Sequence, residues 1–334
     1  MRFLVTGGAG FMGSNFVRYI TEKYGDTEII VYDKLTYAGR IENIKDLLDE
    51  KKISFVKGDI CDEEKFQNIV KENRPDVIVN FAAETHVDRS INEPAPFLKT
   101  NVFGVFVVLE TARKYDTPLI IHISTDEVYG DMDNKPPATE ETPFRPSSPY
   151  SASKASGDLL AQSYHRTYGL PVIILRPSNN YGPYQFPEKL IPKTIIRALY
   201  GYTIPIYGRG DQVRDWLYVG DFVKAVETVI FKGKKGEAYN VPGFNEKTNI
   251  EVVETILKIM NKPLDLVKHV EDRPGHDRRY AMRGDKILAL GWKPRTPWME
   301  GIRKTVNWYL SNEWWWKPLL SDKYFSTETP WKSR

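Results

Sequence analysis

The sequence predicts an α/β protein, a doubly wound parallel sheet that carries a smaller α/β lobe. Three observations predict it. Short apolar runs alternate with helical patterns from Arg2 to Pro177, a glycine-rich turn directly follows the first run, and beyond Arg176-Pro177 the texture shifts to Pro, Gly, Tyr and Asn. Alternation of this kind lays strands side by side in one direction with helices on both faces. The 334 residues suffice for two domains. A hydrophobic content of 41%, a charged content of 27% and a net charge of +3, mixed in sign along the chain, fit a globular protein without a nucleic-acid patch. A lone cysteine, Cys61, excludes an intrachain disulfide and suits a reducing cytoplasm. No apolar span long enough for a membrane is read, and residues 1–10 read as strand and turn, so neither a signal peptide nor an anchor is expected.

The first strand is Arg2-Phe-Leu-Val-Thr6, and Asn15, Phe16, Val17 and Ile20 begin a helical pattern. Between them Gly7, Gly10 and Gly13 form G-x-x-G-x-x-G, a variant of the dinucleotide fingerprint. The first glycine permits the turn, the second lets backbone approach a pyrophosphate, and the third lets helix pack on strand. The helix start then offers free N–H groups to the phosphates. A second strand at 28–32 ends in Asp33, placed where a carboxylate takes the adenosine ribose hydroxyls and repels a 2′-phosphate. This context favours a Rossmann site for NAD over a plain glycine-rich turn, with Lys34 as a cation able to offset Asp33. Further strands read at 53–56, 77–80, 119–123 and 172–175, with helices at 62–73, 94–114 and 150–168 between them. Gly58-Asp59-Ile60 ends the third strand, where Asp59 is either a partner for adenine or an ordinary turn aspartate.

After Pro177 the reading is loops with a helix near 189–201, then a strand end leading into a helix over 216–232. A helix near 249–260, a strand near 265–270 and a helix near 298–311 complete it. Residues 1–177 and 215–242 are assigned to the cofactor domain, and 178–214 and 243–334 to the second. No repeat or low-complexity tract is present.

Chemistry concentrates at two places. Tyr150 and Lys154 lie one helical turn apart, with Pro149 at the first helical position and Ser147 or Ser148 to cap it. An ammonium near a phenol favours phenolate, so the pair can take a hydroxyl proton as an alcohol is oxidised. Thr125, Asp126 and Glu127 follow the strand at 119–123 at its carboxyl end, where open α/β sheets bind ligands. Adjacent carboxylates in a dry site resist ionising together, which sets up one acid and one base. The bland alternative is a polar loop with solvated acids. Asp272-Arg-Pro-Gly-His-Asp-Arg-Arg279 and Arg214 offer guanidinium forks for a diphosphate, or else a solvated basic turn. Trp314-Trp-Trp316 reads as core or interface packing, and Lys232-Gly-Lys-Lys235 as a surface turn. No histidine or cysteine spacing suggests a metal.

Together these segments resemble the extended short-chain dehydrogenase/reductases and, within them, the dTDP-glucose 4,6-dehydratases. The likeness runs over nearly the whole chain, through Thr6-Gly-Gly-Ala-Gly-Phe-Met-Gly-Ser14, Ala82-Ala-Glu-Thr-His-Val-Asp-Arg-Ser90, Ser124-Thr-Asp-Glu-Val-Tyr-Gly130, Tyr150-Ser-Ala-Ser-Lys154 and Glu188-Lys-Leu-Ile-Pro192. It implies oxidation of a nucleotide sugar at C4, loss of water across C5 and C6, and reduction at C6, with NAD recycled. Tyr150 with Lys154 would serve the oxidation, Glu127 would take the C5 proton, Asp126 would protonate the departing C6 hydroxyl, and Thr125 would hold the C4 oxygen. By the same likeness Phe11, Met12, Asp33, Lys34, Thr36, Asp59, Ile60, Ala82, Ala83, Thr100 and Asn180 would line the cofactor. Thr85, Asn179, Lys189, Leu190, Pro205, Tyr207, Arg214, Asn249, Arg273 and His276 would line the nucleotide sugar. It also implies a homodimer paired through helices near 94–114 and 150–168. Rival readings are another nucleotide-sugar dehydratase, a 4-epimerase of the same fold, or a non-catalytic NAD-binding regulator. Departures are mild: Met12 and Thr85 replace commoner residues, and Gly157 sits inside a helix, where close packing would explain it.

Overall fold

In the computed structural model, which describes residues 1–332, seven strands form one parallel sheet. They are β1 (Arg2–Thr6), β2 (Glu28–Asp33), β3 (Ser54–Lys57), β4 (Val77–Asn80), β5 (Leu119–Ile123), β6 (Val172–Pro177) and β7 (Ala238–Val241). Their spatial order is β7-β6-β5-β4-β1-β2-β3, so the chain reverses its winding between β1 and β4. That reversal opens a crevice at the carboxyl ends of these two strands.

Alternating residues explain why the sheet is covered twice. Phe3, Val5, Val31, Val79, Ile121 and Leu175 face one apolar layer, built with the helices Phe11–Lys23 and Val219–Lys232. Leu4, Ile30, Ile78, Ile120 and Ile174 face the other, built with Glu63–Asn73, Val105–Lys114 and Pro149–Tyr168. Near the crevice the second layer turns polar. Thr6 donates to Asn80 at 2.5 Å, Asn80 Nδ2 lies 3.2 Å from His122 Nδ1, and His122 Nε2 lies 3.8 Å from Asp158. Arg176 then donates to Asp158 and to Tyr129, both at 2.7 Å, and Tyr129 to Asn240 at 2.7 Å. These groups are buried; their bonds join β1, β4 and β5 on one side and β6 and β7 on the other, with the His122–Asp158 gap, bridged by no hydrogen bond, between the two sets.

The expected strands and helices all occur, within a few residues of the sequence bounds. Ser148 caps the helix Pro149–Tyr168 in a reciprocal pair with Ser151. Two expectations need correction. A boundary between residues 214 and 215 would cut the strand Val213–Tyr218, which pairs with both Asn179–Tyr181 and Glu246–Thr248 in a separate small sheet. A span of membrane length by composition does exist, because an 18-residue window of the 20-residue helix Ala95–Lys114 reaches a mean hydropathy of 1.2. Its Val105, Val107, Val108, Leu109 and Ala112 are buried in the sheet's second layer, which accounts for its apolar character.

That helix also contains a π-helical stretch, Lys99–Gly104, unforeseen from sequence. The Asn101 side chain there bonds both backbone groups of Glu84, at 2.9 and 3.0 Å, and Ser153 at 2.9 Å. A π-turn of this kind is common at functional sites because it aims side chains that a regular helix would not. Here Thr100 reaches the crevice.

A second core gathers Tyr181, Ile195, Trp216, Ile256, Trp298, Ile302 and Tyr309 with Trp315 and Trp316. The expected packing role for the tryptophan run therefore fits two of its members, while Trp314 is exposed. The last described stretch crosses back onto the first lobe. Trp315 donates to Asn43 at 2.7 Å, Arg89 donates to Asp322 at 2.8 Å, and Asn92 donates to the Pro330 carbonyl at 2.8 Å. The Arg89 guanidinium lies between the rings of Tyr37 and Tyr324, 3.6 and 4.0 Å from their centroids.

Gly157 sits where two helices touch: an added Cβ would come within 2.9 Å of the Asn101 carbonyl and 3.3 Å of His122. Gly157→Ala should therefore lose about 1–3 kcal/mol to overpacking and regain only about 1 kcal/mol of helix propensity. Thermal melts should show a Tm lowered by a few degrees. A raised Tm would show that the helices can part at no cost.

Candidate active site

Two clefts meet at the carboxyl edge of the sheet. The first is lined by Gly7, Gly10, Phe11, Met12, Gly13, Asp33, Lys34, Thr36, Asp59, Ile60, Ala82, Ala83 and Thr100, and reaches Tyr150 and Lys154. The second is lined by Thr85, Glu127, Tyr150, Asn179, Lys189, Leu190, Pro205, Tyr207, Arg214, Asn249, Arg273 and His276. Thr85, Tyr150, Gln185, Glu188 and Lys189 belong to both, so the clefts are continuous at Tyr150. Asn180 lines the second cleft and not the first, against the sequence expectation, while its Nδ2 donates to the Ser178 carbonyl.

The first cleft is shaped for a dinucleotide. Gly7 has φ +67°, and a Cβ there would lie 2.6 Å from the Ala82 nitrogen. At Gly13 a Cβ would lie 2.3 Å from the Gly7 carbonyl, so the helix can close on β1 only because glycine is there. At Gly10 only the Gly7 carbonyl, at 3.2 Å, stands near that position, which leaves the turn open to a phosphate. Asp33 is buried at the tip of β2, accepting from the backbone of Ala9 at 3.0 Å and of Leu35 at 2.8 Å. Each oxygen keeps a lone pair for a ribose hydroxyl. Lys34 does not offset it: its ammonium turns to Asp59 at 2.8 Å. These features fit NAD.

Two residues beyond the end of β5, Thr125 caps the turn Asp126–Tyr129, accepting from Glu127 N at 3.3 Å and donating to Asp126 Oδ1 at 3.1 Å. Glu127 lines the second cleft, while Thr125 and Asp126 lie behind it and line neither. The two acids are set apart by their surroundings. Burial raises Asp126 well above the usual carboxylate range, and the Glu127 and Asp215 carboxylates push it further. Its Oδ2 is buried without a protein partner. Burial raises Glu127 too, but Arg273, Arg214 and Lys189 pull it back down. Both carboxyls are thus raised, and the nearby cations favour the anion more at Glu127 than at Asp126.

The tyrosine departs from the sequence expectation of a lowered phenol. Burial raises Tyr150, as do the Glu127 and Asp126 carboxylates, while hydrogen bonds from Thr125 and Thr85 work the other way. Lys154 donates to the Ile123 carbonyl at 2.6 Å, and burial lowers its ammonium to about 8 against the pull of Asp158.

The basic turn divides. Arg273 and His276 face the second cleft, with His276 Nδ1 2.6 Å from Asp272, and burial beside Arg273 and Arg214 holds the imidazole neutral. Arg278 turns away to Asp133 and Asp211, and Arg279 to Glu246 at 2.6 Å, so they do not serve the cleft. Sequence reasoning missed Tyr280, whose hydroxyl lies 3.4 Å from Glu127 and donates to Asp277 at 2.8 Å, and whose ring lies under Arg214. It also passed over Glu188 and Asp88, both buried acids beside the second cleft. Adjacency to Arg279 and to Lys189 was the available signal for Tyr280 and Glu188.

A family model described as GDP-mannose 4,6-dehydratase matches residues 4–305. A dTDP-glucose 4,6-dehydratase of Escherichia coli K12 is 50% identical, over 98% of this chain and 97% of its own length. The solved dTDP-glucose 4,6-dehydratase from Bacillus anthracis, in complex with NAD, is 48% identical over 96% of this chain and 99% of that one, with a TM-score of 0.90. A UDP-glucose 4-epimerase from Thermus thermophilus, also with NAD, is 32% identical over 93% of this chain and 100% of that one, with a TM-score of 0.87.

The proton on Asp126 bears on stability. The folded protein holds it over a pH range where the unfolded chain, with a carboxyl near 3.9, has lost it, so stability falls as pH rises through that window. Asp126→Asn should therefore raise Tm more at pH 7 than at pH 4, by about 2 °C or more. Equal shifts at both pH values would show that Asp126 ionises in the fold as it does in the unfolded chain.

Proposed function

The chain belongs to the dTDP-glucose 4,6-dehydratase family, and on that footing we propose that it converts dTDP-glucose to dTDP-4-dehydro-6-deoxy-glucose and water. The observation that carries the reading is the Asp126-Glu127 pair beside Tyr150, at which the two clefts join: Asp126 is buried, Glu127 lines the second cleft, and both carboxylates act on the tyrosine. An alcohol oxidation alone would need the tyrosine. Removing a carbon-bound proton and expelling a hydroxyl needs the acid and the base as well.

NAD held by the glycine turn and Asp33 supplies the hydride acceptor at C4, the donor at C6 and, when oxidised, a positive charge in the cleft that Tyr150 lines. In this reading Tyr150 takes the proton of the C4 hydroxyl, with Thr125 and Thr85 as donors to its oxygen. Once C4 is a ketone the C5 proton is acidic, and Glu127, kept anionic by Arg273, Arg214 and Lys189, removes it. Asp126 gives its proton to the departing C6 hydroxyl, which leaves as water. Glu127 then returns a proton to C5. Arg214, Arg273 and Lys189 also supply the positive charge that a diphosphate needs.

We divide the chain into a cofactor part, residues 1–177 and 219–242, and a nucleotide-sugar part formed by the remainder. We further propose a homodimer. Leu98 and Phe103 on one long helix and Leu159 on its neighbour are exposed at 55%, 45% and 55%, which supports pairing through these helices. The lone thiol Cys61 is consistent with a cytoplasmic setting.

Incubation with dTDP-glucose in D₂O, followed by NMR, should yield a 4-keto-6-deoxy sugar with deuterium at C5. Conversion of GDP-mannose or UDP-glucose but not dTDP-glucose would keep the chemistry and replace the nucleotide. Silence with all three, in protein that retains NAD, would overturn an enzymatic reading. Glu127→Gln should still reduce bound NAD on mixing with substrate, yet slow C5 exchange by about 100-fold or more. Exchange at the wild-type rate would remove Glu127 as the base.

A further inference from the structure

Asp88 is a buried acid, 1% exposed, that no step above uses. It stands on the short helix Val87–Asn92, just after the segment 82–86 that runs along both clefts. Its two oxygens serve two different segments of the second lobe. Oδ1 accepts from Arg273 Nη1 at 3.0 Å, and Oδ2 accepts from the Tyr207 hydroxyl at 2.9 Å. Arg273 comes from the turn after residue 270 and Tyr207 from the strand Ile204–Tyr207. The remaining edge of Arg273 is unengaged: its Nε is buried and has no protein partner, on a side chain that lines the second cleft. The Tyr207 ring is backed by Trp331, 4.4 Å between centroids, so the side chain is held at its ring by Trp331 and at its hydroxyl by Asp88.

We propose that Asp88 is a positioning residue for the nucleotide sugar, fixing Arg273 and Tyr207 so that an anionic diphosphate meets a cation already in place. The inference rests on the proposed function for the class of ligand. Its physical basis is that a guanidinium on a flexible stem loses rotamer freedom on binding unless something has ordered it beforehand. A carboxylate bound to one edge of the fork orders it and leaves the other edge free. Asp88 thus acts through its two partners and touches no reacting atom.

The test uses the NAD-bound enzyme. Calorimetric titration of the wild type with dTDP, UDP and GDP selects the tightest diphosphate, so the result for Asp88 does not depend on which base the enzyme prefers. Asp88→Asn, of equal shape, should raise the Kd for that diphosphate and the KM for its sugar on the order of tenfold, with kcat within about twofold and NAD content unchanged. In an Arg273→Gln background the same change should cost less than about threefold, because the residue through which it acts has gone. Unchanged Kd and KM, a fall confined to kcat, or a full tenfold cost in the Arg273→Gln background would each overturn the proposal. Should Asp88→Asn not fold, Asp88→Glu decides: it keeps the charge but moves it by one methylene, and weaker diphosphate binding with NAD retained supports the role, whereas wild-type affinity overturns it.

Discussion

Two neighbouring carboxyl groups taken out of water cannot both be charged without help, and the second lobe supplies that help unevenly. Arg273, Arg214 and Lys189 act on Glu127, whereas Asp126 feels Glu127 and Asp215 more strongly than the one cation, Arg214, that reaches it. A difference in surroundings thus becomes a difference in role between residues adjacent in the chain. The sheet contributes the other half. It delivers Thr125, Asp126 and Glu127 from β5 at the rim of the crevice made by the reversal between β1 and β4. Neither half works alone, since the acids come from the first lobe and the cations from the second.

The parts of this design that repeat, or that carry a special backbone demand, were legible in the sequence. Strand–helix alternation announced the parallel sheet, and Gly7, Gly10 and Gly13 announced the turn, because at Gly7 and Gly13 only glycine tolerates the approaches seen there. Thr125-Asp126-Glu127 and Tyr150 with Lys154 were legible since each is a short local pattern. What escaped depends on distance along the chain. Asp88 gains its meaning from Tyr207 and Arg273, and Tyr280 from Glu127, partners whose proximity no local spacing announces. The upward shift of Tyr150 escaped for the same reason, because burial and the acids beside it raise the phenol. Lys34 and Asp59 had found each other, where sequence alone set Lys34 against Asp33. Arg278 and Arg279 looked like ligands until the fold gave them partners elsewhere.

The polar row beneath the crevice shows how the site is kept still. Asn80, His122, Arg176 and Asn240 replace the apolar residues that the strand pattern would put in that layer, and Asp158 joins them from the helix Pro149–Tyr168. Apolar side chains resist sliding weakly, whereas directional bonds fix the relative height of the strands they join, here β1, β4 and β5 through Thr6, Asn80 and His122, and β6 and β7 through Arg176, Tyr129 and Asn240. Burial lowers His122 well below its ordinary range, aided by Lys154 and Arg176, so the imidazole stays neutral within the row.

The Arg89 stack bears on how long a cofactor stays. Tyr37 forms part of the wall of the first cleft, and its ring is pinned by a guanidinium that is itself pinned by Tyr324 and Asp322. Widening that wall means unstacking two rings and parting an ion pair at once. A dinucleotide that left past that wall would have to undock part of the C-terminal stretch as well. Residence time, more than affinity, is what such a clasp controls, and a carrier that leaves each turnover unchanged is the kind of molecule worth keeping for many rounds.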